Sequence, residues 1–139
     1  MGDNKEKYSK FIDSIKIDEI FLKNIDLTRS LIILEEKGDL KFEIENVSSN
    51  LRNNNEIFYE VKIKLIGYKD ENEEQENFHI NLSYGLNYIL TDEIEIDDEI
   101  LERYERNAVF NVWPYLRNTV SDLSHKMELN LPPIPLFKF

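Results

Sequence analysis

Apolar and polar residues alternate along three stretches in the first 90 positions of the chain. These stretches are "DLKFEIENV" (39–47), "EIFYEVKIKLIGY" (56–68) and "NFHINLSYGLNYIL" (77–90). Because successive side chains of a strand point to opposite faces, this period predicts strands with one face on a core. The other face of each strand is largely polar, which is typical of an antiparallel sheet.

A fourth strand is predicted nearer the N-terminus, in "SIKIDEIFLKNIDL" (14–27), where the alternation is imperfect. Ile20 and Leu22 fall on the face opposite to the odd-numbered apolar residues. We expect a long strand that is partly buried on both sides, and a bulge would reconcile the two series. The odd-numbered series is Ile15, Ile17, Phe21, Ile25 and Leu27, with Glu19 and Lys23 interrupting it.

Polar segments separate the later strands. The segments "SSNLRNNN" (48–55) and "KDENEEQEN" (69–77) are rich in turn-forming residues and short enough for hairpin connections. They predict strands in meander order, and the second segment is expected to form an acidic loop tip.

The apolar spacing changes to steps of three and four residues after position 97. Asp97 and Asp98 suit a helix N-terminus, because carboxylates cap free N–H groups and complement the helix dipole. The apolar stripe predicts one helix over 97–127 that continues through Pro114. Proline removes a helical hydrogen bond, so we expect a kink that turns Trp113 and Tyr115 away from the core. The stripe consists of Leu101, Tyr104, Ala108, Val112, Leu116, Val120, Leu123 and Met127.

The predicted fold class is α+β: a four-stranded antiparallel sheet in meander order, one long kinked helix and an extended proline-rich C-terminal segment. The 139 residues suit a single domain with its own core. Its expected parts are a flexible or short helical N-terminus (1–11), the sheet (12–90), the helix (97–127) and the tail (129–139).

Charge and composition narrow the classes of function. The net charge of −11 disfavours nucleic acid and anionic membranes as partners, because both are negatively charged. There is no cysteine, no apolar run of membrane-spanning length and no secretory signal, so we expect a cytoplasmic protein.

The sequence offers no catalytic, cofactor or metal-binding motif. His79 and His125 are the only histidines, and they lack the spacing of metal ligands. Residues 121–125, "SDLSH", lie within about one helical turn, whereas a catalytic triad is normally assembled from separate segments. We therefore expect no enzyme, no cofactor and no metal.

Aromatic residues exceed what one helix and four strands would bury. This surplus favours self-association or the binding of something apolar. Its members are Phe78, Tyr84 and Tyr88 on the last strand, Trp113 and Tyr115 on the helix, and Phe137 and Phe139 in the tail.

Five strings, in order along residues 12–137, resemble the SecB family of protein-export chaperones. The helix string "VWPYLR" (112–117) is similar to the family's aromatic-Pro-Tyr-x-Arg motif, and "ELNLPPIPLF" (128–137) to the segment that follows it. In "FHINLSYGLNYIL" (78–90), Gly85 and Tyr88 match a glycine and an aromatic residue of the family's fourth strand. The strings "IDEIFLKNIDL" (17–27) and "NNEIFYEVKIKL" (54–65) resemble its first and third strands.

The resemblance implies a cytoplasmic chaperone, active in protein export and transport, that forms a homotetramer as a dimer of dimers. Such a chaperone holds unfolded or export-competent polypeptides in apolar grooves and needs neither ATP nor metal. By this resemblance, Phe78 matches an aromatic residue of the peptide groove. The helix motif, Trp113, Pro114, Tyr115 and Arg117, matches residues of the oligomer and groove region.

Two departures from the family pattern bear on partners. Uncharged Asn24, Thr28 and Asn81 stand where the family offers acidic side chains to the translocation ATPase SecA, which argues against SecA docking by that surface. Family members also continue into a second helix and a flexible tail, and we expect neither after Phe139.

Two alternatives to a general chaperone stay open. The lost acidic positions suit a SecB-like scaffold dedicated to one partner, such as an antitoxin. The apolar face between sheet and helix could instead carry a small apolar ligand.

Overall fold

The structure is a computed structural model that describes residues 2–32, 40–53, 55–69, 75–129 and Leu131. Four long strands follow a first helix, and two further helices follow the strands. In chain order the elements are α1 (Gly2–Ser14), β1 (Ile15–Arg29), β2 (Leu40–Asn53), β3 (Glu56–Tyr68), β4 (Glu76–Leu90), α2 (Asp98–Arg103) and α3 (Glu105–Lys126).

The four strands form one antiparallel sheet in the order β1-β4-β3-β2. The number of strands and their antiparallel pairing are therefore confirmed. The meander order holds for β2, β3 and β4 but is wrong for β1, which pairs with β4 and gives a Greek-key arrangement. Side-chain period specifies which face of a strand is buried, and it carries no information about the neighbouring strand.

Each edge strand contains two bulges. In β1 the residues without a partner across the ladder are Asp18 and Lys23, and in β2 they are Glu45 and Arg52. Each bulge reverses the phase of the strand, so two bulges restore it.

The bulges of β1 bring its interrupted apolar series to one face. Ile20 pairs with Leu86 on the core face, together with the series before and after it. Phe21 pairs with Gly85 and lies on the opposite, outer face. The expected bulge is therefore confirmed, and it separates Phe21 from the other members of the odd-numbered series, which lie on the core face.

The predicted long helix is a bent arm made of α2 and α3, interrupted at Tyr104 and not at Pro114. Asp97 caps α2 by accepting a hydrogen bond from the N–H of Ile100 (2.9 Å). Pro114 lies inside α3 on its exposed side, where Phe110, one turn earlier, is also exposed. The hydrogen bond that proline cannot donate is therefore lost on the side that faces water.

Tyrosines and the apolar stripe of the helical arm fill the core between sheet and helices. Phe11 of α1 reaches this core and packs edge-on against Tyr104 (ring centroids 5.3 Å apart). Every member of the predicted stripe is buried or packs against the core cluster. The strands contribute the face that bears Ile57, Tyr59, Val61, Ile63, Ile80, Leu82, Leu86 and Tyr88.

Two predicted segments differ from the structure or lie outside its described part. The sequence predicts a connection over 48–55, but β2 continues to Asn53, because the alternation of Val47, Ser49 and Leu51 extends the core face. Residues 70–74 of the acidic loop and most of the C-terminal segment, including Phe137 and Phe139, lie outside the described residues.

Candidate functional site

Helix α3 crosses the middle of the sheet and leaves apolar surface on both sides. On one side, the Tyr84 hydroxyl contacts Thr119 and donates to the carbonyl of Tyr115 (3.2 Å) from β4. On the other side, the Trp113 ring packs edge-on against Phe42 of β2 (5.4 Å). Tyr115 and Trp113 therefore lie on opposite sides of α3, toward β1 and toward β2.

The β1 flank is the exposed apolar surface between α3 and the β1 edge of the sheet. It is formed by Ile17, Leu22 and Ile25 of β1, which share the core face but reach past the helix. Tyr115, with 51% of its surface exposed, precedes Thr119 by one turn of α3 and so lies on the helix side that faces Tyr84, the partner of Leu22. The β1 flank is thus a row of large apolar side chains beside one aromatic ring.

The β2 flank is the corresponding surface at the opposite edge, formed by Leu40, Ile44 and Leu51. At its far end, Leu51 meets the segment that connects β4 to α2. Together with Ile94 and Ile96, it lines an open groove of about 410 Å³, and Glu93 and Glu95 complete the lining.

The predicted site residues divide into a buried set and an exposed set. Trp113 is only 6% exposed, so the expectation that it turns away from the core is wrong. Trp113 lies one turn after the buried Val109, beside the stripe and on its β2 side, which explains this burial. The rings of Phe78, Tyr84 and Tyr88 are likewise buried within the chain, whereas Pro114 and Tyr115 are exposed and Arg117 is partly exposed.

The buried tyrosine hydroxyls attach the sheet to the helical arm. Tyr59 donates to the carbonyl of Leu101 (2.6 Å), and Asn111 donates to the Tyr88 hydroxyl (2.9 Å). Burial raises the pKa of Tyr59, Tyr88 and Tyr104, so these phenols, which are protonated at neutral pH in any case, also stay protonated in more alkaline solution.

The outer face of the sheet is mostly polar and carries both signs of charge. This face carries the three uncharged residues that stand at the family's acidic positions. They are Asn24, Thr28 and Asn81, and they surround Asp26. The carboxylate of Asp26 lies 4.0 Å from the ring of His79. One carboxylate beside three uncharged side chains, with Lys64 opposite Asn81, gives this patch little negative charge.

One ion-pair cluster joins three strands on the outer face. Glu60 accepts hydrogen bonds from Lys23 (2.5 Å) and Ser83 (2.9 Å), and Lys62 lies 4.0 Å away. The hydrogen bond from Lys23 is the main cause that lowers the pKa of Glu60. Lys23 is a bulge residue, so this bulge directs a cation onto the outer face.

Sequence reasoning did not single out the residues of the two flanks as exposed. The alternation of apolar and polar residues predicts that they face the core. They stay exposed because α3 is narrower than the four-stranded sheet. A signal was available at β1, because its two bulges align more apolar residues on one face than a single helix covers.

The serine and histidine residues near the end of α3 form no catalytic arrangement. The Ser124 hydroxyl donates to the carbonyl of Ser121 (2.8 Å), and His125 is exposed. Within the described residues, no group of three acidic or histidine side chains is placed to hold a metal ion. The described helices include none that is long and apolar enough to cross a membrane.

Comparison with solved structures identifies the fold as that of SecB-like chaperones. The chain is similar to the SecB-like chaperone Rv1957 of Mycobacterium tuberculosis, solved in complex with a ChAD peptide from the HigA1 antitoxin Rv1956. The TM-score is 0.78 at 16% sequence identity, and the match covers 96% of this chain and 98% of the other. Neither the family models nor the curated protein sequences contain a match to this chain.

Proposed function

We propose that the protein is a cytoplasmic SecB-like chaperone that holds unfolded or export-competent polypeptides without ATP, cofactor or metal. The observation that carries the proposal is the pair of exposed apolar flanks, on a fold shared with SecB-like chaperones. An extended polypeptide can lie along either flank and bury its apolar side chains there.

The charge of the chain supports this function. A net charge of −11 keeps a protein with exposed apolar flanks in solution and repels other copies at long range. It also favours clients that carry basic residues beside apolar ones.

The predicted binding residues keep separate roles in this proposal. Tyr115, Pro114 and Arg117 contact the client or a second copy, because they lie at the surface of α3. Phe78, Tyr84, Tyr88 and Trp113 form the floor on which the exposed side chains rest. The homotetramer, a dimer of dimers, would bury part of the exposed surface of α3, including Phe110.

A scaffold dedicated to one partner is the second candidate. The structural neighbour Rv1957 was solved in complex with an antitoxin peptide, which supports a partner of that kind for this chain. The uncharged Asn24, Thr28 and Asn81 agree with a protein that does not deliver clients to SecA. A small apolar ligand between sheet and helix is disfavoured, because fully buried side chains such as Tyr59, Val112 and Leu116 fill that space.

Holding activity is tested by light scattering of guanidinium-denatured rhodanese diluted into buffer with and without the protein. We expect the protein to suppress scattering and Tyr115→Ala to weaken suppression. Asp122→Ala, on the exposed end of α3 where Asp122 pairs with Lys126 (3.1 Å), is the control and should act as wild type. Unchanged rhodanese aggregation would refute general holding.

Affinity purification from the native host followed by native mass spectrometry distinguishes the two candidates. Many substoichiometric polypeptides support a general chaperone. One partner at fixed stoichiometry, together with no effect on rhodanese, supports the dedicated scaffold. The same spectra report the mass of the free oligomer.

A further inference from the structure

Helix α1 contacts the helical arm at the point where the arm is interrupted. The ring of Phe11, which is fully buried, packs edge-on against Tyr104, the residue between α2 and α3. The Tyr8 ring lies under the guanidinium of Arg103 (4.0 Å from the ring centroid), and its hydroxyl accepts a hydrogen bond from Asn107 (3.3 Å). Two side chains of α1 therefore bridge the end of α2 and the beginning of α3.

A second set of contacts joins α1 to segment 91–97, which connects β4 to α2. The carbonyl of Ser14 accepts hydrogen bonds from both the backbone N–H (2.9 Å) and the hydroxyl (3.2 Å) of Thr91. Lys7 lies 3.9 Å from Glu95, but both side chains are well exposed, so this ion pair contributes little. Segment 91–97 is thus attached to α1 mainly through Ser14.

Neither α1 nor α2 is held in place by a large buried surface. Among the described side chains, α1 buries only Phe11 and Ser14, and the six-residue α2 buries only Ile100 and Leu101. A cavity of about 10 Å³ also remains between the two helices. Short helices depend on tertiary contacts, and regions with few buried apolar side chains open at a lower free energy than the core. Release of α1 therefore requires much less free energy than unfolding of the sheet.

Segment 91–97 also supplies part of the groove at the end of the β2 flank. Ile94 and Ile96 of this segment line the groove together with Leu51 of β2, and Ile96 also packs against the main core. No described side chain of α1 lines the groove. Because α1 contacts the segment and the arm that follows it, the shape of the groove depends on α1 indirectly.

We propose that α1 is a detachable strap that regulates this groove. While α1 is closed over the arm, Tyr8 and Phe11 act as positioning residues and hold segment 91–97 and α2 in place. When α1 is released, the segment and α2 lose their fixed position, whereas the sheet and α3 stay folded. A client that contacts Ile94 and Ile96 stabilises the closed strap, and by linkage the closed strap binds the client more tightly. This inference rests on the proposed function, since it concerns regulation of client holding.

Thiol labelling measures release of the strap, because the chain has no cysteine of its own. Ser14→Cys places a thiol at a fully buried position at the end of α1, and Val112→Cys places one at an equally buried position in the middle of α3. We expect the Ser14→Cys thiol to react with dithionitrobenzoate roughly tenfold or more faster than the Val112→Cys thiol. Equal rates would mean that only global unfolding exposes both thiols, and would overturn the proposal.

Substitutions in α1 separate positioning from general stability. Tyr8→Ala removes the ring and hydroxyl that contact the arm, so it should raise the labelling rate of Ser14→Cys roughly tenfold and leave that of Val112→Cys unchanged. Tyr8→Phe keeps the ring and should have a smaller effect. The matched control is Ile12→Ala, because Ile12 lies on the exposed side of α1 (40%) and should leave both rates unchanged. An equal rise of both rates in Tyr8→Ala would overturn the positioning role.

Amide hydrogen exchange shows whether α2 follows α1. The N–H groups of Leu101 and Tyr104 donate to the carbonyls of Asp97 (3.2 Å) and Ile100 (3.1 Å) and so report the turns of α2. Their exchange should accelerate in Tyr8→Ala, whereas exchange in β3 and β4 should stay unchanged. Unchanged exchange at both amides would mean that α2 does not depend on α1, and would contradict the proposal.

An unfolded client tests the link to holding. Reduced, carboxamidomethylated lysozyme is basic, stays unfolded and has no free thiol. We expect it to slow the labelling of Ser14→Cys roughly threefold or more, because a client in the groove stabilises the closed strap.

Failure of this inference is distinguishable from failure of the proposed function. If the protein suppresses rhodanese aggregation but the unfolded lysozyme leaves the labelling of Ser14→Cys unchanged or accelerates it, holding stands and regulation by α1 is wrong. If rhodanese aggregates freely while Ser14→Cys still reacts faster than Val112→Cys, the detachable strap stands and general holding is wrong.

Discussion

The contrast between Trp113 and Tyr115 gives the sharpest test of which aromatic residues build the fold. Trp113 is 6% exposed and packs edge-on against Phe42 (5.4 Å between ring centroids, 86° between planes). Truncation of a buried tryptophan to alanine costs about 3–5 kcal/mol, and about 0.5–1.5 kcal/mol of that belongs to the aromatic pair. We therefore expect Trp113→Ala to lower the free energy of unfolding by about 4 kcal/mol.

For a domain of this size, that loss corresponds to a fall in melting temperature of roughly 10–20 °C. Tyr115→Ala should change the free energy of unfolding by less than about 0.5 kcal/mol, because its ring is half exposed. Urea denaturation monitored by circular dichroism measures both variants. A double-mutant cycle with Phe42→Leu should give a coupling energy of about 0.5–1.5 kcal/mol.

The reasoning fails if Trp113→Ala unfolds within about 1 kcal/mol of wild type and yet loses rhodanese holding. That result would mean that Trp113 acts at a binding surface, as the resemblance to SecB first suggested. Zero coupling to Phe42 would contradict the packing between α3 and β2 specifically.

Two further predictions concern the outer face. A Cβ on Gly85 would lie 2.5 Å from the Phe21 ring and 2.9 Å from the Phe58 ring, so Gly85→Ala should destabilise by about 1–3 kcal/mol. Phe21→Leu should rescue part of that loss in thermal denaturation, and additive losses would refute the clash. Glu60→Gln should destabilise by about 1 kcal/mol at pH 7, where the carboxylate of Glu60 accepts from Lys23. Because the folded pKa of Glu60 is lowered, urea titrations should show this difference vanishing as pH falls below 4.5, and a constant difference would contradict the ion pair.

The sheet and the helical stripe could be predicted from sequence because both rest on local periodicity. Alternation identified β2, β3 and β4, and steps of three and four residues identified the buried side of α3. The place of β1 beside β4 could not be predicted in this way, because pairing of distant strands depends on the whole sheet. Trp113 and Tyr115 are two residues apart, which places them on opposite sides of a helix, but only the orientation of α3 on the sheet decides which flank each one faces.

The candidate site was harder to predict than the fold. Aromatic residues such as Tyr84 and Tyr88 stand out in the sequence, but the structure uses them as buried links between β4 and α3. The exposed residues Leu22 and Leu51 are ordinary members of an apolar series. Their exposure follows from the coverage of the sheet by one helix, at which the sequence hints only through the excess of apolar residues in β1.

The four bulges of the edge strands lower the tendency of the sheet to add further strands and aggregate. All four residues without a ladder partner are charged: Asp18, Lys23, Glu45 and Arg52. Growth of amyloid requires long, flat, uninterrupted edges on which identical strands stack. A charge at each interruption breaks the flat, continuous edge that such stacking requires. The exposed apolar flanks thus belong to a sheet whose edges are poor templates for a fibril.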